Sequence, residues 1–160
     1  MSAPIAAIAT ARGEGGVAIV RVSGDGAESI LLGAFRPAAR VGTLESHRMY
    51  FGWLIGENGE KLDEVMAVLM RAPRSYTRED VAEIQCHGGD AAAKKALERV
   101  LALGASPAGP GEFTKRAFMN GRIDLSQAEA VMRVVSAGGE AALRASVREL
   151  EGGVSRFVGG

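Results

Sequence analysis

The chain has 160 residues, with 19 basic and 19 acidic side chains and a formal net charge of zero. That length suits one domain of ordinary size, or one small domain and part of a second, with a core that needs no disulfide or metal staple. Balanced charge argues against a generally basic nucleic-acid surface, a single cysteine excludes an intramolecular disulfide framework, and 47% apolar with 24% charged residues excludes a disordered chain.

In chain order, the N-terminal MSAPIAAIATARGEGG lacks a basic start followed by a long apolar core, so it makes a poor signal peptide. Nor does any run approach the roughly 18 apolar residues of a membrane span. A cytoplasmic protein is expected. Ile5–Ala9 and Val17–Val22 read as strands, the second rich in β-branched residues, with GEGG as the turn between them. Gly24–Phe35 reads as a helix entered from Ser23. Met49–Ile55 and Val65–Met70 are apolar runs flanking Asn58-Gly59, a hairpin signal. In the PRSYTRED loop, Thr77 and Asp80 suit a capping-box turn. Val81–Cys86 is a further strand, and Gly89–Leu103 a helix stopped by Gly104. After the SPAGPG loop, Glu112–Met119 is a short helix closed at Asn120-Gly121. Asp124, with Gln127 three residues on, caps a long helical stretch.

The fold class is therefore α+β: a mixed β-sheet with packed helices over residues 1–120, followed by the beginning of an α-helical domain over 121–160. In the tail, Leu143, Val147, Leu150, Val154 and Phe157 are spaced as a bundle seam. Such a seam either docks on the α+β part or opens a helical domain that this sequence carries only in part.

Several motifs bear on chemistry. GEGGVA fits the loose dinucleotide fingerprint, but that motif must open a helix, and the β-branched VAIVRV follows instead, so nucleotide binding is rejected there. No G-x-x-x-x-G-K-[ST] occurs in the sequence, and GTP hydrolysis through a P-loop is not expected of it. HGG at His87–Gly89 lacks the companion G-x-S-x-G elbow of an esterase. Cys86 and His87 are strand neighbours pointing to opposite faces, a poor dyad. HGG reads as a turn with glycine in a left-handed position. With only two histidines and one cysteine, no metal site is expected.

Strand period is more informative. It puts Val81, Glu83, Gln85 and His87 on one face and Ala82, Ile84 and Cys86 on the other. Arg21 likewise alternates with Val20 and Val22. A charge inside an apolar strand is costly unless paired or bound to a ligand. Arg21 and Glu83 are thus either a structural salt bridge or part of a binding site. Arg122, in the turn between two capped helices, stands where it could grip a carboxylate, or else belongs to a plain helix connection.

GEGGVAIVRVSG, SYTREDVAEIQCHGG and PGEFTKRAFMNGRIDLSQAEA together resemble the N-terminal part of the tRNA uridine modification GTPases (MnmE/TrmE), in order and spacing, from about Ile5 onward. The resemblance implies a tetrahydrofolate-binding, aminomethyltransferase-like domain that binds 5-formyltetrahydrofolate or a related one-carbon folate and forms a homodimer. It implies a parent protein whose GTPase domain uses GTP with Mg and K. With a flavoprotein partner, that protein adds a (carboxymethyl)aminomethyl group to the wobble uridine of tRNA, which it meets only through the full complex. The family's folate contacts fall on Arg21, Glu83 and Arg122, with Gln85, His87 and Arg78 as neighbours of the pocket. No residue is expected to be catalytic. The sequence departs from the family at Arg12, usually proline, at Arg78, usually glycine, and at Arg122, often lysine. Two other classes stay open at this point, a free-standing folate-dependent aminomethyl-transfer enzyme and a purely structural dimerisation module; a small esterase is a distant fourth.

Overall fold

The computed structural model describes residues 2–10 and 16–136. Arg12, most of the GEGG turn and the seam from Leu143 to Phe157 lie outside the described residues. The chain divides into two compact units, one of residues 1–75 and 79–107, the other of residues 76–78 and 108–160.

The first unit is a seven-stranded sheet with two helices. In chain order it comprises β1 (Ile5–Ile8), β2 (Ala18–Ser23), α1 (Ala27–Ala34), β3 (Phe35–Pro37), β4 (Met49–Ile55), β5 (Lys61–Met70), β6 (Val81–Cys86), α2 (Gly89–Ala102) and β7 (Ser106–Pro107). The spatial order is β3-β4-β5-β6-β2-β1-β7. Every pairing is antiparallel except β1 with β7, which makes the sheet mixed. Alternation along the strands sends one set of side chains inward: Val20 and Val22 from β2, Leu54 from β4, Val65, Ala67 and Leu69 from β5, and Ile84 and Cys86 from β6. They form one core with Ile30 and Leu31 of α1 and Ala96 and Val100 of α2. The other face carries Arg21, Glu83 and Gln85.

Asn58-Gly59 does mark a hairpin: Gly59 has φ 81°, and Gly56 N–H donates to Glu60 O at 2.9 Å. Three elements differ from the sequence reading. Phe35 is not the last residue of a helix but the first of edge strand β3, with φ −131° and ψ 135°. Pro37 holds Arg36 out of the helical region and so ends α1 early. Strand β5 starts at Lys61 rather than Val65, because the polar Lys61–Glu64 segment pairs with β4 through its backbone, which an apolar-run criterion does not register. Ser106–Pro107, read as loop, pairs with the sheet edge beside β1. Two residues are too few to show a period, and proline is at home on an edge strand.

In the second unit, α3 (Glu112–Met119) and α4 (Leu125–Ser136) follow one another through the Asn120–Asp124 turn. The capping box at α4 is complete: Gln127 N–H donates to Asp124 Oδ1 at 2.8 Å, and Asp124 N–H to Gln127 Oε1 at 2.9 Å. Segment 76–78 is fastened to α3 and its turn. Tyr76 Oη and Thr114 Oγ1 share a hydrogen bond of 3.0 Å, and Asn120 Nδ2 donates to Thr77 O at 2.8 Å. The Thr77–Asp80 turn is organised otherwise than a capping box would have it, since Asp80 Oδ1 accepts from Ala72 N–H at 2.8 Å.

Candidate functional site

Strands β2 and β6 are central in the sheet, and their register sets Arg21 directly opposite Glu83. Arg21 Nε donates to Glu83 Oε2 at 2.7 Å. Side-chain exposures of 26% and 15% make the pair partly buried but still in contact with solvent. Glu83 Oε1 accepts no hydrogen bond among the described residues. The arginine thus holds the carboxylate through one oxygen. An ion pair in a sheet adds little net stability compared with apolar residues of the same size, so its presence here is weak support for a purely structural role.

The neighbouring rows follow from the ladder. Gln85, half-buried, lies opposite Ile19 on β2 and Met66 on β5, and Met66 lies opposite Phe51 on β4. Phe51 and Trp53 meet edge to face with ring centroids 5.9 Å apart, and Lys61 Nζ lies 4.3 Å from the Trp53 centroid. The aromatic pair was not singled out from the sequence. The alternation Met49, Phe51, Trp53 against Tyr50 and Leu54 was the available signal, since the second set is buried in the core.

His87 is exposed at the end of β6, whereas Cys86 is fully buried, so the two diverge as neighbours on a strand must. His87 passes into a turn whose Gly89 has φ 74°, a conformation that glycine adopts without penalty, and α2 begins there. HGG is a structural turn. Burial, helped by the negative charge of Asp63, pushes the Cys86 thiol up from about 9 to about 11. At pH 8 the thiolate fraction is then on the order of one in a thousand. Iodoacetamide is expected to leave Cys86 unmodified in the folded chain at pH 8 and to label it fully in denaturant, as mass spectrometry would show. The folded state holds this proton more tightly than the unfolded state does. The stability it contributes is complete below about pH 9 and is lost as pH rises toward 11.

Arg122 and Arg78 belong to the second unit. Gly121 turns the chain at φ 74°, and Arg122 N–H closes the turn onto Ala117 O at 2.8 Å. Arg78 Nη1 donates to Asn120 O at 3.2 Å in the same turn. Both arginines are exposed. Of the residues expected at the site, the structure brings Arg21, Glu83 and Gln85 together on one sheet face, and Arg78 and Arg122 together at one turn. No group of three or more residues suited to a metal occurs among the described residues, and no helix there is long and apolar enough to cross a membrane.

A mixed sheet covered by α1 and α2 on one face, with an ion pair on the other, defines an α+β domain. Residues 4–122 match the family described as GTP-binding protein TrmE N-terminus, and the chain belongs to that family. It is 54% identical over 158 residues to the tRNA modification GTPase MnmE of Chloroflexus aurantiacus, covering 99% of this chain and 35% of that protein. It is 58% identical over 153 residues to the protein of the same description from Geobacter sulfurreducens, covering 95% of this chain and 33% of the relative. The chain thus spans about a third of the length of the curated relatives it matches.

Proposed function

We propose that this chain is the one-carbon-folate-binding and homodimerisation module of a GTPase that modifies the wobble uridine of tRNA. The observation that carries the reading is the Arg21–Glu83 pair on the sheet face turned away from the helices. A pterin ring presents an N–H beside an exocyclic amino group, a paired donor edge that one carboxylate accepts. Glu83 takes that edge, and Arg21 keeps the carboxylate in place. Arg21 offers a planar fork to the oxygen acceptors of 5-formyltetrahydrofolate, ring carbonyl, formyl group or glutamate carboxylates; for Arg122 a folate contact is supported by the resemblance to the family alone. Met49 and Phe51, 40% and 49% exposed, supply apolar surface for a contact between two copies. GTP hydrolysis, with its Mg and K, and work with a flavoprotein on tRNA belong to the longer protein. In the cell such a module works in the cytoplasm.

Isothermal titration of the purified chain with 5-formyltetrahydrofolate tests the reading. Saturable binding with one folate per chain is expected. Dimers in sedimentation without any folate binding would leave only an assembly module and overturn the folate assignment.

A further inference from the structure

Gln85 follows Glu83 by two residues on β6, so both side chains leave the same face of the sheet, about 7 Å apart along the strand. The register sets Ile19 of β2 on one side of Gln85 and Met66 of β5 on the other. These residues, with Arg21 and Glu83, all belong to the first unit. Gln85 is half-buried, and its amide makes no hydrogen bond among the described residues. Seated between two apolar neighbours, that amide depends on solvent for its partners. On the opposite side of Glu83 the face is closed. Val81 is 1% and Ser23 0% exposed, and Ser23 Oγ donates to Glu79 Oε1 at 2.8 Å. A ring whose edge is held by Glu83 therefore runs toward Gln85 and Met66.

Such a ring takes the amide out of water. An enclosed carboxamide that finds no partner on the ligand costs affinity, whereas one that meets an acceptor and a donor in matching order adds to it. Glutamine presents both groups side by side, an NH2 that donates and a carbonyl oxygen that accepts. A reduced pterin offers the complement. Its N1 accepts, and the neighbouring N8–H donates. N5 is not a dependable donor, because one-carbon folates carry their one-carbon group there. In the fully oxidised ring N8 has no proton, so acceptor stands beside acceptor. The amide then satisfies one of them and turns its own oxygen against the other. Glu83 is blind to this difference, since the N3–H and amino group that it accepts are present in both rings.

We infer that Gln85 is a specificity-determining residue of the folate site, its carboxamide pairing with the N1 and N8–H edge of the pterin, so that the chain selects reduced over oxidised folates. This rests on the folate reading above. Glu83 and Gln85 divide the work along one strand: the carboxylate recognises a pterin, and the amide recognises its oxidation state.

The test is titration of the whole chain and of its Gln85→Met variant with tetrahydrofolate, 7,8-dihydrofolate and folic acid, each carrying one glutamate and kept under reductant. Methionine keeps the length of the side chain and removes both hydrogen-bonding groups. Dihydrofolate keeps N8–H and lacks a proton on N5, so it tells the two nitrogens apart. The native chain is expected to bind tetrahydrofolate and dihydrofolate within about threefold of each other, and folic acid about tenfold or more weakly. In Gln85→Met the difference between dihydrofolate and folic acid should fall to within about twofold, with the melting temperature nearly unchanged. Gln85→Asn, which withdraws the same amide by one methylene, should lose the preference likewise, and it decides the matter if Gln85→Met melts far below the native chain. Dihydrofolate bound no better than folic acid by the native chain, or a preference that survives in the folded variants, would each overturn the assignment. If the native chain binds none of the three and no 5-formyltetrahydrofolate, the folate reading itself fails, a result distinct from these.

Discussion

Replacing Glu83 by alanine is expected to weaken 5-formyltetrahydrofolate binding about 30-fold or more, roughly 2 kcal/mol, in isothermal titration. The magnitude follows from which partner is left behind. A bound pterin keeps its ring N–H and amino group facing the sheet, and without the carboxylate both donors are enclosed with no acceptor. Glu83→Gln should be nearly as damaging although it conserves shape. An amide turns one oxygen but also one NH2 toward that edge, so a donor meets a donor. Stability should change far less. Arg21 is 26% exposed and can turn its guanidinium to water, so the lost ion pair costs about 1 kcal/mol or less. Binding lost with the melting temperature nearly unchanged is the expected signature. Undiminished binding by Glu83→Ala would remove Glu83 from the site.

How much of this was legible in the sequence depends on the distance over which each signal acts. Strands β2, β4 and β6, helices α2 and α3 and the α4 capping box are written in local period and punctuation, and the structure has them there. The opposition of Arg21 and Glu83 was legible for a further reason. Each interrupts an apolar strand, and a register that buries Val20, Val22, Ala82 and Ile84 on one face must turn both charges to the other. What escaped are features without a local period. Strand β7 exists because the sheet edge beside β1 is there to receive Ser106–Pro107. The closeness of Arg78 to the Arg122 turn depends on residues far apart in sequence meeting through Tyr76–Thr114 and Asn120–Thr77, pairings that no spacing announces. The resemblance to the family pointed to Arg21, Glu83 and Arg122 as contacts and to Arg78 only as a neighbour of the pocket, at a position where the family usually has glycine.

Ile84, next to Glu83 on the same strand, should give the opposite result. It is 1% exposed, lies between Val20 of β2 and Ala67 of β5 in the ladder, and belongs to the core under α1 and α2. Ile84→Ala removes three carbons from a close-packed interior and leaves a cavity that the flanking strands cannot close, because both are held in register on either side. A loss of about 2–5 kcal/mol is expected, equivalent to a fall in melting temperature of roughly 5–20 °C. The Arg21–Glu83 face is untouched, so the fraction that remains folded at low temperature should bind folate within about threefold of the native chain. Binding lost with stability kept at position 83, and stability lost with binding kept at position 84, would together separate the two faces of one strand. A variant at 84 that melts normally would mean that β6 does not seat its apolar face in the core, and the side on which Glu83 stands would then have to be reassigned.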